Sequence, residues 1–343
     1  MKQKVKIIQC GLGVVGQDMV KIILEKHNME LIGAIDIADE IIGKDLGHVI
    51  GLDRELGVTV SGNAEEVFRT VEADVVLLAT SSYFKDMYNT ARLALENGQN
   101  VITCGEEGAF PWTKSPELAR KIDDLAKKNG VTFLGTGVTP GYVMDYLPIS
   151  LTGLMKQVNK INIRGVANWA EVGPYDWELA GFGKRIEVFN EKLAKGEIGG
   201  LIILRELMEM TARALGWKID EYKETKKALV SKSRREAKCG IVEPGTVCGL
   251  EQVARGFWKG KEVISYERAY VVNPTLEEDK MEVGMFISIE GIPGVEVALK
   301  GEVLSQGLIL ATAARVINSI PQVIDARPGL LTVYELPPSP CFP

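Results

Sequence analysis

The sequence predicts an α/β protein, with an N-terminal doubly wound parallel sheet and a second, α+β domain on a mixed or antiparallel sheet. Three observations predict it. A short apolar run, Val5 to Ile8, leads into Gly11-Leu12-Gly13-Val14-Val15-Gly16 and then a helical pattern. A second apolar run, Leu31 to Ile35, ends on Asp36. Strand-sized runs then alternate with helical periods to about Gly135, after which longer stretches with period-two alternation take over.

The first element has the order of a Rossmann dinucleotide unit: strand, glycines, helix, strand, acid. Gly11 permits the tight turn, Gly13 lets a pyrophosphate approach the backbone, and Gly16 lets helix and strand pack closely. The helix N-terminus offers free N–H groups and partial positive charge to phosphates. Asp36 lies where a carboxylate accepts hydrogen bonds from an adenosine ribose. It also repels a 2′-phosphate, so NAD is favoured over NADP, although Lys44 leaves room for NADP. Further along, Ala73 to Ala79 reads as a buried strand and Asn89 to Asn97 as a helix stopped at Gly98. Asn100 to Thr103 is the next strand. Pro116 to Asn129 is a helix stopped at Gly130, and Val131 to Leu134 a further strand.

Beyond Gly137, strands are expected at Lys160 to Val166, Lys226 to Ser231, Lys261 to Val271 and Met281 to Ile289. Helices are expected near Arg185 to Lys195 and Ile202 to Leu215. Leu308 to Ile320 returns to a helical pattern before a Pro-rich tail. Residues 1–140 are therefore read as the nucleotide domain, 141–304 as a substrate-binding and dimerisation domain, and 305–343 as a segment packing back on the first.

At 343 residues the chain exceeds what one hydrophobic core usually supports. The net charge of −6 and the lack of a basic block argue against nucleic acid. Cys10, Cys104, Cys239, Cys248 and Cys341 form no CxxC pair, and with two histidines no metal cluster is expected. No apolar stretch reaches about 18 residues, the length of a membrane span. Met1 to Lys4 runs straight into a strand without a signal-peptide pattern. A reducing cytoplasm fits these features.

In an open parallel sheet, ligands sit beyond the carboxyl ends of the strands. Three loops there carry candidate chemistry. Ala79, Thr80 and Ser81 border a nicotinamide ribose, with Tyr83 toward the substrate. Thr103 to Trp112 contains the adjacent acids Glu106 and Glu107 between Gly105 and Gly108. The third loop holds Thr139, Pro140 and Gly141, then Tyr142 and Asp145. A C–H bond that gives up hydride to a nicotinamide needs a partner base, and neither His27 nor His48 is well placed. A carboxylate is therefore read as the general base. It also suits a cationic amine substrate, attracting the ammonium and then accepting its proton. Trp169, Glu171 and Tyr175 in a turn-rich segment are read as substrate contacts, with core packing as the alternative for Trp169 and Trp177. Arg205 pairs with Glu209 or anchors a substrate carboxylate.

Taken together, ITCGEEGAFPW, LGTGVTPGYVMD, GWKIDE, VEPGTVCGL and VINSIPQVIDARPGLLTVYELPPSP resemble the 2,4-diaminopentanoate dehydrogenases. These are relatives of native amine dehydrogenases within the dihydrodipicolinate-reductase-like group. The likeness runs from about residue 4 to 340. It implies NAD- or NADP-dependent oxidative deamination of 2,4-diaminopentanoate to 2-amino-4-oxopentanoate with release of ammonia, a homodimer, and a role in ornithine breakdown. It places the family's essential glutamate on the Glu106–Glu107 pair. The chain departs at Thr139, where the family usually has Asn, and in the loop from Arg164 to Trp177. Two competing readings are an imine reductase and a non-catalytic NAD sensor. The reductase family carries a His-rich helix, and this chain has no His beyond residue 48.

Overall fold

Short strands that are apolar at every position can be buried on both faces only where helices cover both sides of a sheet. The first part of the chain meets that condition. The computed structural model describes residues 4–275, 277–305 and 307–342. Along the first part run β1 (Val5–Cys10), α1 (Val14–Glu25), β2 (Met29–Ile35), α2 (Leu46–Val49), β3 (Val60–Ser61), α3 (Ala64–Thr70) and β4 (Val75–Leu78). Then come α4 (Phe84–Glu96), β5 (Asn100–Thr103), α5 (Pro116–Asn129), β6 (Thr132–Gly135) and α6 (Tyr146–Leu151). All four residues of β4 are fully buried. α5 starts with Pro at its first turn and ends on Gly130 at φ 71°, a left-handed cap that glycine adopts without strain.

The chain forms two compact units. One takes the residues up to Tyr146 together with those from Leu308 onward, and the other spans Leu147–Gly307. In the second lie β7 (Gln157–Asn168), α7 (Pro174–Ala180), α8 (Ile186–Ala194), α9 (Leu204–Ala214), β8 (Glu221–Val230), β9 (Arg235–Ala237) and β10 (Gly240–Val242). They are followed by β11 (Val247–Trp258), β12 (Lys261–Val271), β13 (Gly284–Ile292) and β14 (Val295–Leu299). The chain then returns to the first unit with α10 (Leu308–Asn318), α11 (Ile320–Ile324) and β15 (Gly329–Leu331).

The first unit's sheet has the order β15-β6-β5-β4-β1-β2-β3 and is parallel throughout. Its order reverses between β1 and β4, which opens the crevice where such sheets bind ligands. The second sheet has the order β14-β13-β7-β12-β11-β8. It is mixed, β7 and β12 being parallel and the other pairs antiparallel.

Two features differ from the sequence reading. The VEPGTVCGL segment, where no strand was expected, runs into the 12-residue strand β11, which pairs with both β8 and β12. Gly249 and Gly256 interrupt its alternation, and this hid the strand. The glycines are needed for packing: a Cβ on Gly256 would strike Met208, and one on Gly249 would press on Leu229. The Pro-rich tail also contributes a strand. β15 lies parallel to β6, and the Leu330 N–H donates to Asp123 Oδ1 at 2.9 Å.

Candidate functional site

At the crevice, β1 runs into a glycine loop whose two ends are closed and whose middle is open. Gly11 has φ 89°, and a Cβ there would collide with the Ala79 carbonyl that follows β4. A Cβ on Gly16 would collide with the Gly11 carbonyl. Gly13, at the N-cap of α1, has no atom within 4 Å of where its Cβ would be, and no side chain caps the helix. The loop carbonyls are turned away from this opening: buried Gln9 Nε2 donates to Gly11 O (2.9 Å) and Gln17 Nε2 to Leu12 O (2.9 Å). Unshared N–H groups around an open Gly13 make a cradle that fits a pyrophosphate. Neither glutamine was identified from sequence, because an amide that holds a loop carbonyl has no spacing signature.

Asp36 ends β2 beside this loop. Its carboxylate accepts from the Leu12 N–H at 2.6 Å, Ile37 N–H at 2.7 Å and Ala38 N–H at 3.0 Å. It therefore ties the glycine loop to the second strand and places a fixed negative charge at the edge of the cradle. Burial pushes the Cys10 thiol up to about 12 and the Cys104 thiol up to about 11, so both stay protonated at neutral pH.

The acid pair lies on the 3-10 turn Glu106–Ala109 after β5. Packing fixes this turn from both sides. A Cβ on Gly105 would meet the Ser81 carbonyl and Met87, and one on Gly135 would meet the Gly108 backbone. The Glu107 N–H donates to Ser82 O at 3.0 Å. The two acids have different surroundings. Glu107 is 4% exposed, its Oε2 accepts from the Phe84 N–H at the start of α4 (2.8 Å), and its Oε1 is ion-paired with Lys114. It joins α4 to the turn and neutralises a lysine that also lies over the Tyr83 ring. Glu106 is partly exposed at the carboxyl edge of the same sheet. Ser81 is engaged locally: its Oγ accepts from the Tyr83 N–H and donates to Asp86, both at 3.1 Å.

The loop after β6 carries a cis Thr139–Pro140 bond and Gly141 at φ 118°. Asp145 holds it closed. Its carboxylate is fully buried and accepts from the Gly141 and Tyr146 N–H groups, each at 2.6 Å. Burial pushes its carboxyl up to about 6, opposed by these amides and by the nearby Arg315. Asp145 was expected to touch substrate, but a carboxylate with no exposed surface and both oxygens committed to backbone serves the loop instead. Arg315 on α10 lies 5.3 Å from the ring centres of both Tyr142 and Tyr146, which stack on each other. It was read only as part of a helix.

The remaining candidates lie in the second unit. Trp169, partly buried, packs at 4.5 Å from the Tyr270 ring and edge-on to Phe182, against the core of that unit. Of the two readings open for this ring, the packing matches the core one. Glu171 is exposed and Tyr175 is 77% exposed. Arg205 pairs with Glu209 one helical turn on, at 3.1 Å, with 57% of its side chain exposed. That is the ion pair the i,i+4 spacing suggested, and the position is a solvated helix face. The described residues contain no group of three or more His, Cys, Asp or Glu placed to hold a metal, and no helix among them is long and apolar enough to cross a membrane.

The profile of the 2,4-diaminopentanoate dehydrogenase C-terminal domain matches residues 142–342, and that of the dihydrodipicolinate reductase N-terminus matches residues 5–133. The chain is 33% identical to a 2,4-diaminopentanoate dehydrogenase of Acetoanaerobium sticklandii, over 98% of this chain and 94% of the relative. It is 23% identical to an amine dehydrogenase of Streptomyces virginiae, over 97% and 96%. Among solved structures, the amine dehydrogenase of Mycobacterium smegmatis superposes with a TM-score of 0.81 at 25% identity, covering 99% of this chain and 98% of that one. A nucleotide-type sheet with an open glycine cradle, joined to a matched catalytic-family domain, places the chain in the 2,4-diaminopentanoate dehydrogenase family, as an NAD(P)-dependent oxidoreductase acting on CH–NH2 donors.

Proposed function

We propose that the protein catalyses the reversible oxidative deamination of a short diamino acid, 2,4-diaminopentanoate, to 2-amino-4-oxopentanoate and ammonia, with Glu106 as the general base. One observation carries the assignment of the base. Of two adjacent acids on one turn, Glu107 is buried, whereas Glu106 is partly exposed at the strand end. The 33% identity along nearly the whole chain supports the substrate class.

Glycines 11 to 16 with Leu12, Val14 and Val15 would hold the cofactor phosphates, Asp36 its ribose, and the Ala79–Ser81 and Thr139–Gly141 loops its nicotinamide half. When bound, the cofactor accepts hydride from the carbon bearing the amine. Glu106 takes a proton from the substrate ammonium, leaving the amine lone pair free to form the C=N bond as hydride departs. Glu106 releases that proton to solvent, then takes one from the water that attacks the iminium carbon and passes it to the nitrogen; as ammonia leaves, the carbinol O–H returns its proton to the carboxylate and the ketone forms. Tyr83 and Tyr142, 49% and 37% exposed, would border the reacting carbon. The test is ammonia release and NADH formation across a panel of 2,4-diaminopentanoate, ornithine and simple secondary-carbon amines. Turnover confined to a cyclic imine, or no turnover with cofactor still bound, would replace this reading with the reductase or the sensor.

Asp36 sets cofactor preference in this reading. Asp36→Ala removes the charge that repels a 2′-phosphate, so the ratio of kcat/KM for NAD over NADP should fall by about tenfold, the scale of one screened charge contact. An unchanged ratio would mean that Asp36 serves only to tie the loop.

The second unit supports a homodimer. The sheet face bearing Asn162, Arg164, Glu267 and Phe286 forms an open trough of about 530 Å³. A second copy covering this face should give a dimer mass by light scattering at micromolar concentration, with Phe286→Glu shifting it to monomer. A monomer mass for the unaltered protein refutes this.

A further inference from the structure

We infer that Gln17, on α1, is a positioning residue for cofactor binding: its side chain holds the Leu12 carbonyl back and so turns the Gly13 N–H toward the cofactor's phosphates. The inference deepens the cofactor reading above and rests on it. It starts from the planarity of the peptide bond. Across a trans peptide the carbonyl of one residue and the N–H of the next point in opposite directions, so a group that pins one fixes the other. The Gly11–Leu12 peptide shows both halves of this arrangement. Gln9 Nε2 holds the Gly11 carbonyl at 2.9 Å, and on the other side the Leu12 N–H donates to Asp36 Oδ2 at 2.6 Å. The next peptide repeats the first half only. Gln17 Nε2 holds the Leu12 carbonyl at 2.9 Å, and no atom of the described residues accepts the Gly13 N–H.

That N–H belongs to the glycine whose Cβ side has no atom within 4 Å. A donor without a protein partner beside such an opening calls for an acceptor from outside, and a phosphate oxygen is the acceptor a dinucleotide brings. Val14 and Val15 follow in the first helical turn, where N–H groups lack intrahelical partners, and no side chain caps the helix. Helix geometry explains why Gln17 is the residue that reaches the carbonyl. Side chains lean toward a helix's N-terminus, so the fourth residue of α1 extends back over the turn to the carbonyl before the cap. Its own N–H closes the first helical bond on the Gly13 carbonyl at 2.9 Å. Gln17 thus grips the carbonyls of both Leu12 and Gly13. Without the side-chain bond the Leu12 carbonyl is free to swing, and an outward-facing oxygen would repel a phosphate where the N–H should meet it. Gln9 is fully buried, whereas Gln17 is only partly buried and can be replaced without opening the core.

The test is calorimetric titration of two ligands, NADH and ADP-ribose, which keeps the pyrophosphate and lacks the nicotinamide. They are titrated into the whole unaltered chain, Gln17→Met, Gln17→Glu and Gly13→Ala. Gln17→Met keeps the length and helix propensity of the side chain and removes its donor. It should weaken the Kd of both ligands about tenfold, the scale of one charge-assisted hydrogen bond, while Tm falls by a few degrees at most. Gln17→Glu sets an acceptor against the Leu12 carbonyl and adds a charge beside the phosphates, so it should weaken both further. Unchanged Kd values in both Gln17 variants would make the residue a brace of the helix start and overturn the proposal. So would a weakening of NADH alone, or one accompanied by a Tm as low as that of Gly11→Ala, where the loop itself is disrupted. Gly13→Ala tests the underlying reading separately. If it binds both ligands as tightly as the unaltered chain, the phosphates lie elsewhere and the cradle reading fails, together with this inference. If Gly13→Ala weakens binding and Gln17→Met does not, the cradle stands and only the role of Gln17 falls.

Discussion

Glu106→Gln is expected to lower kcat by about 10²–10⁴-fold, the range of a lost general base, while the Kd of NAD stays unchanged. Glutamine keeps the shape and hydrogen bonding of the side chain and removes its basicity. The turn itself should survive, because backbone packing at Gly105, Gly108 and Gly135 holds it. Glu107→Gln gives the contrast. It retains an acceptor for the Phe84 N–H but loses the charge that pairs with Lys114. Its expected effect is a lowered Tm and a smaller fall in kcat, through movement of the turn. The pH profile separates the two: the acid limb of kcat/KM should disappear in Glu106→Gln and persist in Glu107→Gln. The opposite pattern would transfer the role to Glu107. If both variants keep near-normal turnover, the acid pair is only a feature of the turn and the base must be sought elsewhere.

The glycine loop allows a second large effect to be divided into its parts. Gly11→Ala should destabilise the first unit twice over. A side chain at φ 89° adds about 1–3 kcal/mol of backbone strain. The collision with the Ala79 carbonyl adds overpacking of about 1–3 kcal/mol. Against a typical total of about 5–15 kcal/mol this lowers Tm by several degrees. Gly13→Ala should do the reverse. Its backbone is ordinary (φ −66°) and nothing lies within 4 Å of the new Cβ, so Tm should hold. That Cβ would occupy the open side of the cradle, and the Kd of NAD should weaken by about 10- to 100-fold, as expected when a well-fitted charge-assisted contact is pushed apart. Calorimetry with NAD titration measures both quantities. An unchanged Kd in Gly13→Ala would remove the cradle as the phosphate site.

Local chemistry explains why so much of the first unit was legible in the sequence. Val75 to Leu78, the Gly11–Gly16 spacing, Asp36, Pro116 and Gly130 each impose a backbone conformation or a burial requirement on their own neighbourhood, so order along the chain predicted order in the sheet. The same reasoning located the acid pair and the i,i+4 ion pair of Arg205 with Glu209. It was weakest where a residue's role depends on a partner distant in sequence. β11 was hidden because Gly249 and Gly256 answer to Leu229 and Met208 on other elements. β15 is too short to declare itself and exists because β6, almost 200 residues earlier, offers it an edge.

The sequence by itself determined the class of sheet, the presence of a dinucleotide cradle and the identity of the two candidate acids, since each is encoded within a few residues. Only the tertiary structure distinguishes the surroundings of those acids. Glu106 and Glu107 have identical chemistry and adjacent positions, and it is the fold that buries Glu107 while leaving Glu106 partly exposed. The same holds for Asp145: burial and the supply of partners are properties of the space around a side chain, and they turned one expected ligand contact into a loop brace.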